Sequence, residues 1–446
     1  MSKNSPSSTA QTSTALPRSV WLLSWVSFFA DVSGEMIYPL LPLYVIGVLG
    51  SNKTQLGAME GAAVLIVALM SAFAGFRSDR KGKGGGRVPW IRWGYGLPVL
   101  GKSLIAVAQV WPMVFGGRLL DRFGKGLRGA PRDALIADAV TAEQRGRAFG
   151  MHRAFDTAGA LLGVLLAAFL LWWLTGSPQK EVASEGLVLA SQTPPWIYRT
   201  IFGVGAALGL ASFILTFLVD ETASPAEPQQ ESAAGTPHNT PSQTSNITSK
   251  PRFLSFPTQY WVMLLVLILF SLANSSDTFL LLHASDHGFS AWGVVMLYAV
   301  YNLTYSALSY PAGALSDRLG RWQIMTVGWL IYAAVYAGFA LLPTTQAWGL
   351  WPLMALYGVY MALTEGVGKA LIADHAPRES RGAAMGLFYA LTGVTTFGAS
   401  LLAGIIWDQY GSSSAFMLGA VFSLLALLAL PHVRQNSSAR TRNKPH

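Results

Sequence analysis

Two stretches of the sequence match motifs that bind nucleotide phosphates. Gly96-Leu-Pro-Val-Leu-Gly101-Lys102-Ser103 satisfies G-x-x-x-x-G-K-[ST], and Gly124-Lys-Gly126-Leu-Arg-Gly129 satisfies G-x-G-x-x-G. Either motif binds phosphate only where a buried strand ends and a helix begins, because backbone N–H groups must wrap the phosphates. The surrounding sequence therefore decides whether the chain is a nucleotide-binding enzyme.

A second set of reactive residues consists of charges that lie within apolar stretches. Asp31 and Glu35 are spaced i, i+4 in ADVSGEMIYPLLP, and Asp277 lies in NSSDTF. A basic stripe at helical spacing contains Arg118, Asp121, Arg122, Lys125, Arg128, Arg132 and Asp133. If these stretches cross a membrane, such charges indicate an ion pair, a binding site or a proton path.

Composition supports a membrane protein. The chain has 446 residues, of which 52% are hydrophobic and only 12% are charged, with a mean hydropathy of +0.40. A soluble protein carries about 25% charged residues. The net charge of +9 comes from short basic clusters between apolar runs, which fits the positive-inside rule better than a nucleic-acid partner. The absence of cysteine excludes disulfides, thiolate metal sites and a cysteine nucleophile.

Twelve apolar segments are long enough to cross about 30 Å of hydrocarbon, in two sets of six separated by a segment rich in Pro, Ser, Thr and Gln. We therefore expect an all-α membrane protein with two six-helix bundles. The predicted parts are an N-terminal tail (1–18), a first bundle (19–219), a flexible linker (220–257), a second bundle (258–432) and a C-terminal tail (433–446).

The basic residues predict the orientation. Nearly all of them fall on one side if the segments alternate, while the opposite side holds little more than Lys53 and Lys180. Both termini and the linker are therefore predicted to be cytoplasmic in a multi-pass protein of the inner (cell) membrane. The two nucleotide motifs fall inside the third and fourth apolar helices with no strand before them, so we expect them to serve close helix packing and not ATP.

An internal repeat relates the two halves. Gly75-Phe-Arg-Ser-Asp79-Arg80-Lys-Gly82 recurs as Gly313-Ala-Leu-Ser-Asp317-Arg318-Leu-Gly320, and Leu135-Ile-Ala-Asp138 recurs as Leu371-Ile-Ala-Asp374 with the same downstream spacing. Parallel repeats about an axis normal to the membrane explain this pattern.

These residues resemble the major facilitator superfamily over essentially the whole chain apart from the tails and linker. Its signature G-x-L-S-D-R-x-G-R is complete at Gly313 to Arg321, whereas the first copy has Phe76-Arg77 and Lys83 at altered positions. The resemblance implies alternating access around a central site and a cytoplasmic conformational latch. The latch candidates are Gly75, Asp79, Arg80, Gly313, Asp317, Arg318 and Arg321.

Two further features are similar to bacterial proton-coupled efflux members. Arg118 resembles the arginine of their fourth-helix motif, although Arg122 stands where a glycine is usual. Gly159-x-x-x-Gly163 resembles part of the antiporter signature G-x-x-x-G-P, with Val164 in place of the proline. Close helix packing is the alternative explanation of these glycines.

The candidate site residues follow from charge and depth. A carboxylate in an apolar medium can exchange protons near neutral pH, so the proton-coupling candidates are Asp31, Glu35 and Asp277. The substrate-cavity candidates are Arg118, Asp121, Arg122, Lys125, Tyr38, Lys102 and Glu365. In the competing account, the first-helix carboxylates simply pair with the fourth-helix cations, and Arg128 and Arg132 brace the bundle by pairing with Asp79, Asp133 or Asp138. His152 and His283 are expected to be hydrogen-bonded helix contacts and not proton relays.

The sequence thus predicts a monomeric secondary transporter with no enzymatic activity, cofactor or metal. Its expected partners are a small-molecule substrate, the lipid bilayer and protons, and the preferred function is proton-coupled export of a small organic molecule. Uptake of an anionic metabolite is the alternative if the fourth-helix cations are unpaired. A non-transporting membrane receptor or scaffold is the alternative of another class, but it should carry neutral residues at the central positions.

Overall fold

The computed structural model of the protein describes residues 16–79, 86–141, 144–176, 193–220, 256–375 and 381–441, with the backbone alone at 76, 78, 79, 145, 146, 317, 370, 373, 374, 381–383 and 431–441. Within these ranges the chain is helical and contains no strand. The predicted N-terminal tail and linker lie almost wholly outside the described residues, whereas the backbone of residues 433–441 of the predicted C-terminal tail is helical and continues the last helix, Ser412–Thr441. The boundaries of all three segments stay predictions.

Six helices form the first half. They are α1 (Arg18–Ile37), α2 (Lys53–Asp79), α3 (Val88–Val107), α4 (Trp111–Asp138), α5 (Arg145–Thr175) and α6 (Pro195–Leu215). The helical path of α1 continues through short turns at Tyr38–Leu40, Leu41–Leu43 and Tyr44–Val48. Pro39 and Pro42 explain these irregular turns, because a proline has no N–H group to donate to the preceding turn.

Six further helices form the second half. They are α7 in two pieces (Thr258–Ala273 and Thr278–Asp286), α8 (Ala291–Leu319), α9 (Arg321–Leu341), α10 (Leu350–His375), α11 (Arg381–Tyr410) and α12 (Ser412–Thr441). Across the described ranges, eight of the twelve helical paths are long and apolar enough to span a membrane by length and composition. The charged stripe leaves α4 outside that group of eight.

The seventh apolar segment is long and apolar enough to span the membrane, but it contains a break that apolar length does not predict. The helix stops after Ala273 and restarts at Thr278. The intervening residues are Asn-Ser-Ser-Asp, whose side chains compete with helical hydrogen bonds. The N–H of Ser276 donates to the Oγ of Ser400 on α11 at 3.1 Å, and not to a carbonyl of the preceding turn.

Small residues allow the helices to approach closely, as predicted for both nucleotide motifs. Gly101 of α3 lies against the backbone of Gly117 on α4, and Gly124 lies against Pro98. Gly159 and Gly163 of α5 lie against the backbone of α1. A Cβ atom at any of these positions would meet the neighbouring helix, so the helical setting of these motifs excludes a phosphate-binding loop.

Two helix pairs join the halves along the length of the molecule, namely α2 with α11 and α5 with α8. At one end the extension of α1 also packs against α8 and the second piece of α7. We call this the closed end. In the described part of the chain, no comparable packing joins α4 to α10 or α11, so the space between the halves opens toward the opposite end. Under the predicted orientation, this arrangement is inward-open.

A polar contact fastens the closed end. Asp408 of α11 accepts hydrogen bonds from the backbone N–H groups of Lys53 (3.1 Å) and Thr54 (2.8 Å) and from the Thr54 hydroxyl (2.7 Å). These N–H groups belong to the first turn of α2, where a carboxylate stabilises the unpaired donors and the positive end of the helix dipole. One half of the protein therefore caps a helix of the other half.

Asp408→Asn should loosen the closed end, because it removes a charge-assisted cap that exists only while the halves touch there. We expect a shift of about 5–30-fold toward the open population, corresponding to a loss of about 1–2 kcal/mol. Spin labels at cysteines introduced at Asn52 and Ser412 would report the distance across this end, since the chain has no native cysteine. Ser414→Ala is the control, as Ser414 bonds only within its own segment at Tyr410. Identical distance distributions in the two variants would contradict this role.

Candidate functional site

The strongest polar contact in the first half is an ion pair between α2 and α4. The Nε and Nη2 atoms of Arg118 donate to the two carboxylate oxygens of Glu60 at 2.9 and 2.8 Å. Both side chains are almost completely buried, with 5% and 4% exposure. This fork geometry satisfies both charges where water is absent.

Asp121 connects three cations beside that pair. Its carboxylate lies 3.2 Å from Arg122, 3.8 Å from Arg118 and 3.9 Å from Lys102. The Lys102 ammonium also donates to the hydroxyl of Ser33 on α1 at 2.8 Å. Within the described residues, Arg118 and Lys102 are therefore engaged by acidic partners and are not bare cations awaiting an anion.

The expectation that Asp31 and Glu35 pair with the fourth-helix cations is wrong at Arg118. Its partner is Glu60, because α2 packs directly against α4 and presents that residue to it. In the sequence, Glu60 is one of several charged residues within apolar stretches, and the sequence does not indicate which neighbouring helix its side chain faces. Neighbour identity depends on helix packing, which the periodicity of a single helix does not reveal.

The C-terminal part of the α4 stripe, from Arg128 onward, is only partly paired. Arg132 forms an ion pair with Asp133 at 2.9 Å and donates to the hydroxyl of Ser27 on α1. Arg128 lies over the ring of Tyr95 at 4.2 Å, a cation–π contact. Asp138 pairs instead with Arg87. Of the pairs that the bracing hypothesis proposed, the described side chains contain Arg132 with Asp133, which are adjacent on one helix and join no two helices. The Asp79 side chain lies outside the described atoms, so the hypothesis stays a prediction.

Glu35 connects the two halves. Its Oε2 atom accepts a hydrogen bond from the hydroxyl of Tyr298 on α8 at 2.8 Å. The ring of Tyr38 lies 5.4 Å from that of Tyr298, and the guanidinium of Arg118 lies 5.2 Å from the Tyr38 ring centre. Glu35 and Tyr38 therefore lie at the contact between the bundles, next to the α2–α4 ion pair.

Asp31 and Lys125 have a different setting. Asp31 is half-buried one turn before Glu35, and Lys125 is exposed on α4. Across the described side chains, neither forms an ion pair within 4.0 Å. Both residues therefore keep exposed surface and have no ion-pair partner among the described side chains.

Asp277 occupies the break in α7, directly before the second piece of the helix. It accepts hydrogen bonds from the hydroxyls of Tyr357 on α10 (2.6 Å) and Tyr301 on α8 (3.4 Å). Tyr301 is also stacked beside Tyr298, with ring centres 5.5 Å apart. A chain of tyrosines thus runs from Glu35 in the first half to Asp277 in the second.

A second cross-bundle link contains a residue that the sequence analysis missed. Arg153 of α5 donates to the hydroxyl of Tyr305 on α8 at 3.2 Å. Tyr305 in turn donates to Glu365 of α10, which also accepts a 2.8 Å bond from Lys369. The sequence feature that could have identified Arg153 is its position as a basic residue inside an apolar span, three positions before Asp156.

The latch candidates are only partly described. Arg80 and the side chains of Asp79 and Asp317 lie outside the described part. Arg318 is exposed in the last turn of α8, whereas Arg321 lines a cavity of about 320 Å³ with Gly313 and small residues of α8 and α10. Gly75 lies against Ala130 of α4. The latch therefore stays a prediction.

His283 is a hydrogen-bonded helix contact, as expected, because its Nε2 atom bonds to the carbonyl of Phe339 at 3.1 Å. His152 differs: its Nδ1 atom lies 3.5 Å from Asp156 on its own helix, and its Nε2 atom is buried without a hydrogen-bond partner among the described residues. Among the described residues, no group of three or more His, Asp or Glu side chains is arranged to hold a metal ion.

Twelve helical paths in two packed halves, with charges held between them, define a multi-pass membrane transporter. The chain belongs to the Major Facilitator Superfamily, whose profile matches residues 23–367 and 361–446. This family consists of transporters and not enzymes.

Similar proteins span nearly the whole chain. An MFS-type transporter of Methanocaldococcus jannaschii, MJ1317, is 30% identical over 93% of this chain and 94% of its own. The class E tetracycline resistance protein of Escherichia coli is 26% identical over 92% and 94%, and the multidrug resistance protein MdtH of Salmonella typhi is 24% identical over 83% and 82%.

Solved structures show the same fold. The nucleoside transporter NupG superposes with a TM-score of 0.68 at 14% identity, covering 94% of this chain and 99% of its own. A D-xylose-proton symporter gives 0.66 at 15% identity over 92% and 95%. At these identities the likeness establishes the fold alone.

Arg118→Ala should destabilise the protein strongly, because it leaves Glu60 as an uncompensated buried charge. We expect a loss of about 3–5 kcal/mol, measured as a lowered melting temperature of the detergent-purified protein. Lys125→Ala, on the same helix but exposed and unpaired among the described side chains, should stay within about 0.5 kcal/mol of the wild type. The double variant Glu60→Gln, Arg118→Gln should recover part of the loss. Equal melting temperatures for Arg118→Ala and Lys125→Ala would contradict a structural ion pair.

Proposed function

We propose that the protein exports a small organic molecule across the inner membrane in exchange for protons. The proposal rests on one observation above the others: Glu35, a carboxylate at membrane depth, is held by a hydroxyl of the opposite bundle. A proton arriving at such a carboxylate alters the contact between the bundles directly. That is the physical requirement for coupling proton movement to alternating access.

The coupling step follows from hydrogen-bond strength. An ionised carboxylate accepts a stronger hydrogen bond than a neutral one, so ionised Glu35 holds Tyr298 and keeps the closed end shut. Protonation weakens that bond and favours separation of α1 from α8. Asp31, one turn away on the same helix, is a second candidate to hold the proton.

The cycle then alternates between two sets of contacts. Asp408 and Glu35 bind across the bundles at the closed end, while Arg153 and Tyr305 meet across them nearer the open end. Opening the closed end must break the first set and bring the open end together. The predicted latch residues belong to that open end.

Export is the direction that the relatives favour. The printed names of several relatives are multidrug and tetracycline resistance proteins, although the structural neighbours include a nucleoside transporter and a xylose symporter. Uptake of an anionic metabolite is the second candidate, and the exposed, unpaired Lys125 in the described part favours it. The engagement of Arg118 and Lys102 by acids weighs against it. A non-transporting receptor gives no reason for so many charges at the centre.

Glu35→Gln should abolish the effect of a pH gradient on transport while leaving substrate exchange intact. Glutamine keeps an acceptor for Tyr298 but binds no proton. In everted membrane vesicles with an acidified interior, we expect wild-type ethidium accumulation to respond to the gradient and the variant to respond at least about tenfold less. Counterflow of preloaded ethidium should remain within about twofold of the wild type.

Asp220→Asn is the matched control for that experiment, because this exposed acid follows the last turn of the first half, away from the site. It should behave as the wild type does. Unchanged pH dependence in Glu35→Gln would rule out Glu35 as the coupling residue.

A further inference from the structure

We propose that Asp277 is the docking point for the positive group of an organic cation, and that substrate and proton are bound by different carboxylates in different bundles. This inference rests on the proposed function, since it names the substrate class and the recognition residue of the same cavity. It separates Asp277 from Glu35, which the sequence had grouped together as proton-coupling candidates.

The surroundings of Asp277 lack a counter-charge. Its hydrogen-bond partners are two neutral hydroxyls, from Tyr301 and Tyr357. Glu35 also accepts a hydrogen bond from a tyrosine, but it lies near the cations of α4, because Tyr38, about one turn further along, contacts the Arg118 guanidinium at 5.2 Å.

An uncompensated carboxylate at membrane depth is costly and is normally paired or functional. In the described part of the chain, no Lys, Arg or His lies within 4.0 Å of Asp277, although cations are plentiful on α4. Asp277 is also half-buried and therefore keeps some exposed surface. A ligand that reaches it can supply the missing positive charge.

The helix break makes the site suitable for a charged ligand. Irregular backbone at this depth is tolerated where it is buried in protein or lines a cavity, and broken helices mark binding sites in transporters. Asp277 precedes the first turn of the second piece of α7, whose dipole stabilises negative charge. The two tyrosine hydroxyls do the same and fix the direction of the carboxylate.

The aromatic surroundings of Asp277 favour an organic cation over an alkali ion. The ring centres of Tyr298, Tyr301 and Tyr357 follow one another at 5.5 and 5.4 Å. Tyr357 is fully buried, so Tyr298 and Tyr301, which keep 6% and 5% exposure, are the rings that a ligand can reach. Aromatic rings attract weakly hydrated organic cations and provide apolar area for their substituents. A small metal ion requires several oxygen ligands instead.

Glu35 and Asp277 are connected through tyrosines, but the proton and the cation bind to different carboxylates. Tyr298 donates to Glu35, Tyr301 donates to Asp277, and the two rings touch. A cation at Asp277 therefore acts on the proton site through the tyrosines and not by occupying it. The separation predicts that one variant loses substrate binding and the other loses proton coupling.

Equilibrium binding of radiolabelled tetraphenylphosphonium to the detergent-purified full-length protein tests this assignment. Asp277→Asn should weaken binding at least about tenfold, whereas Glu35→Gln should bind within about twofold of the wild type. Asp286→Asn is the matched control, because Asp286 is an acid at the far end of the same helix piece, Thr278–Asp286, and lies outside the proposed site, so it should keep binding. Phenyltrimethylammonium should compete with the probe, but its neutral isostere tert-butylbenzene should not.

A folding defect would not obscure the result. The double variant Tyr301→Phe, Tyr357→Phe keeps the charge and the rings but removes both hydroxyl donors. It should still bind the probe, more weakly than the wild type. The melting temperature of each variant without ligand shows whether it is folded.

The proposal is overturned if the wild-type protein does not bind tetraphenylphosphonium, or if tert-butylbenzene competes as well as phenyltrimethylammonium does. It is also overturned if folded Asp277→Asn binds the probe as the wild type does, or if Glu35→Gln alone loses binding. Displacement of the probe by NaCl but not by KCl, abolished in Asp277→Asn, would identify an alkali-ion site and would also overturn it. If Asp277→Asn binds normally while Glu35→Gln uncouples ethidium transport, the proposed proton-coupled export survives without this inference. If Asp277→Asn loses binding while Glu35→Gln stays coupled, this cation site survives and the assignment of the proton to Glu35 fails.

Discussion

The buried ion pair between Glu60 and Arg118 is the constraint on which the first bundle depends. Each partner alone would be an unpaired charge in an apolar medium, so α2 and α4 must stay at the depth and rotation that keep the 2.8 and 2.9 Å bonds. This pair orients the whole α4 stripe. It presents Asp121 toward Lys102 and leaves Lys125 facing the space between the bundles.

The two bundles compensate their central charges in different ways. In the first bundle, cations and carboxylates neutralise one another through direct contacts. In the second, the central carboxylate Asp277 is bound by tyrosine hydroxyls, which orient it without neutralising it. The second arrangement leaves Asp277 without a cationic partner among the described side chains. The internal repeat of the sequence therefore sets a common helical plan without imposing common chemistry on the two halves.

Much of the fold was predictable from the sequence because membrane helices are specified locally. Apolar length gave all twelve helical paths, and glycine spacing predicted the close contacts of α3 with α4 and of α5 with α1. The break in α7 was missed because apolar length counts Asn274 to Asp277 as part of one span. Ser276 instead donates its N–H to the Ser400 hydroxyl of α11 and accepts a hydrogen bond from the Thr278 N–H at its own hydroxyl. The Glu60–Arg118 pair, Tyr298 as the partner of Glu35 and Arg153 as a bridge were also not predicted. Each depends on which helix faces which, and that is a property of packing.

The central claim is that the proton on Glu35 controls the contact between the bundles at the closed end. Its most direct test is the distance between spin labels across that end, measured in mildly alkaline and in mildly acidic buffer without any substrate. In wild-type protein, acid should increase the open population, and Glu35→Gln should show the acid-like distribution in both buffers. A wild-type distribution that is the same in both buffers, or a Glu35→Gln variant that still responds to pH as the wild type does, would contradict the account.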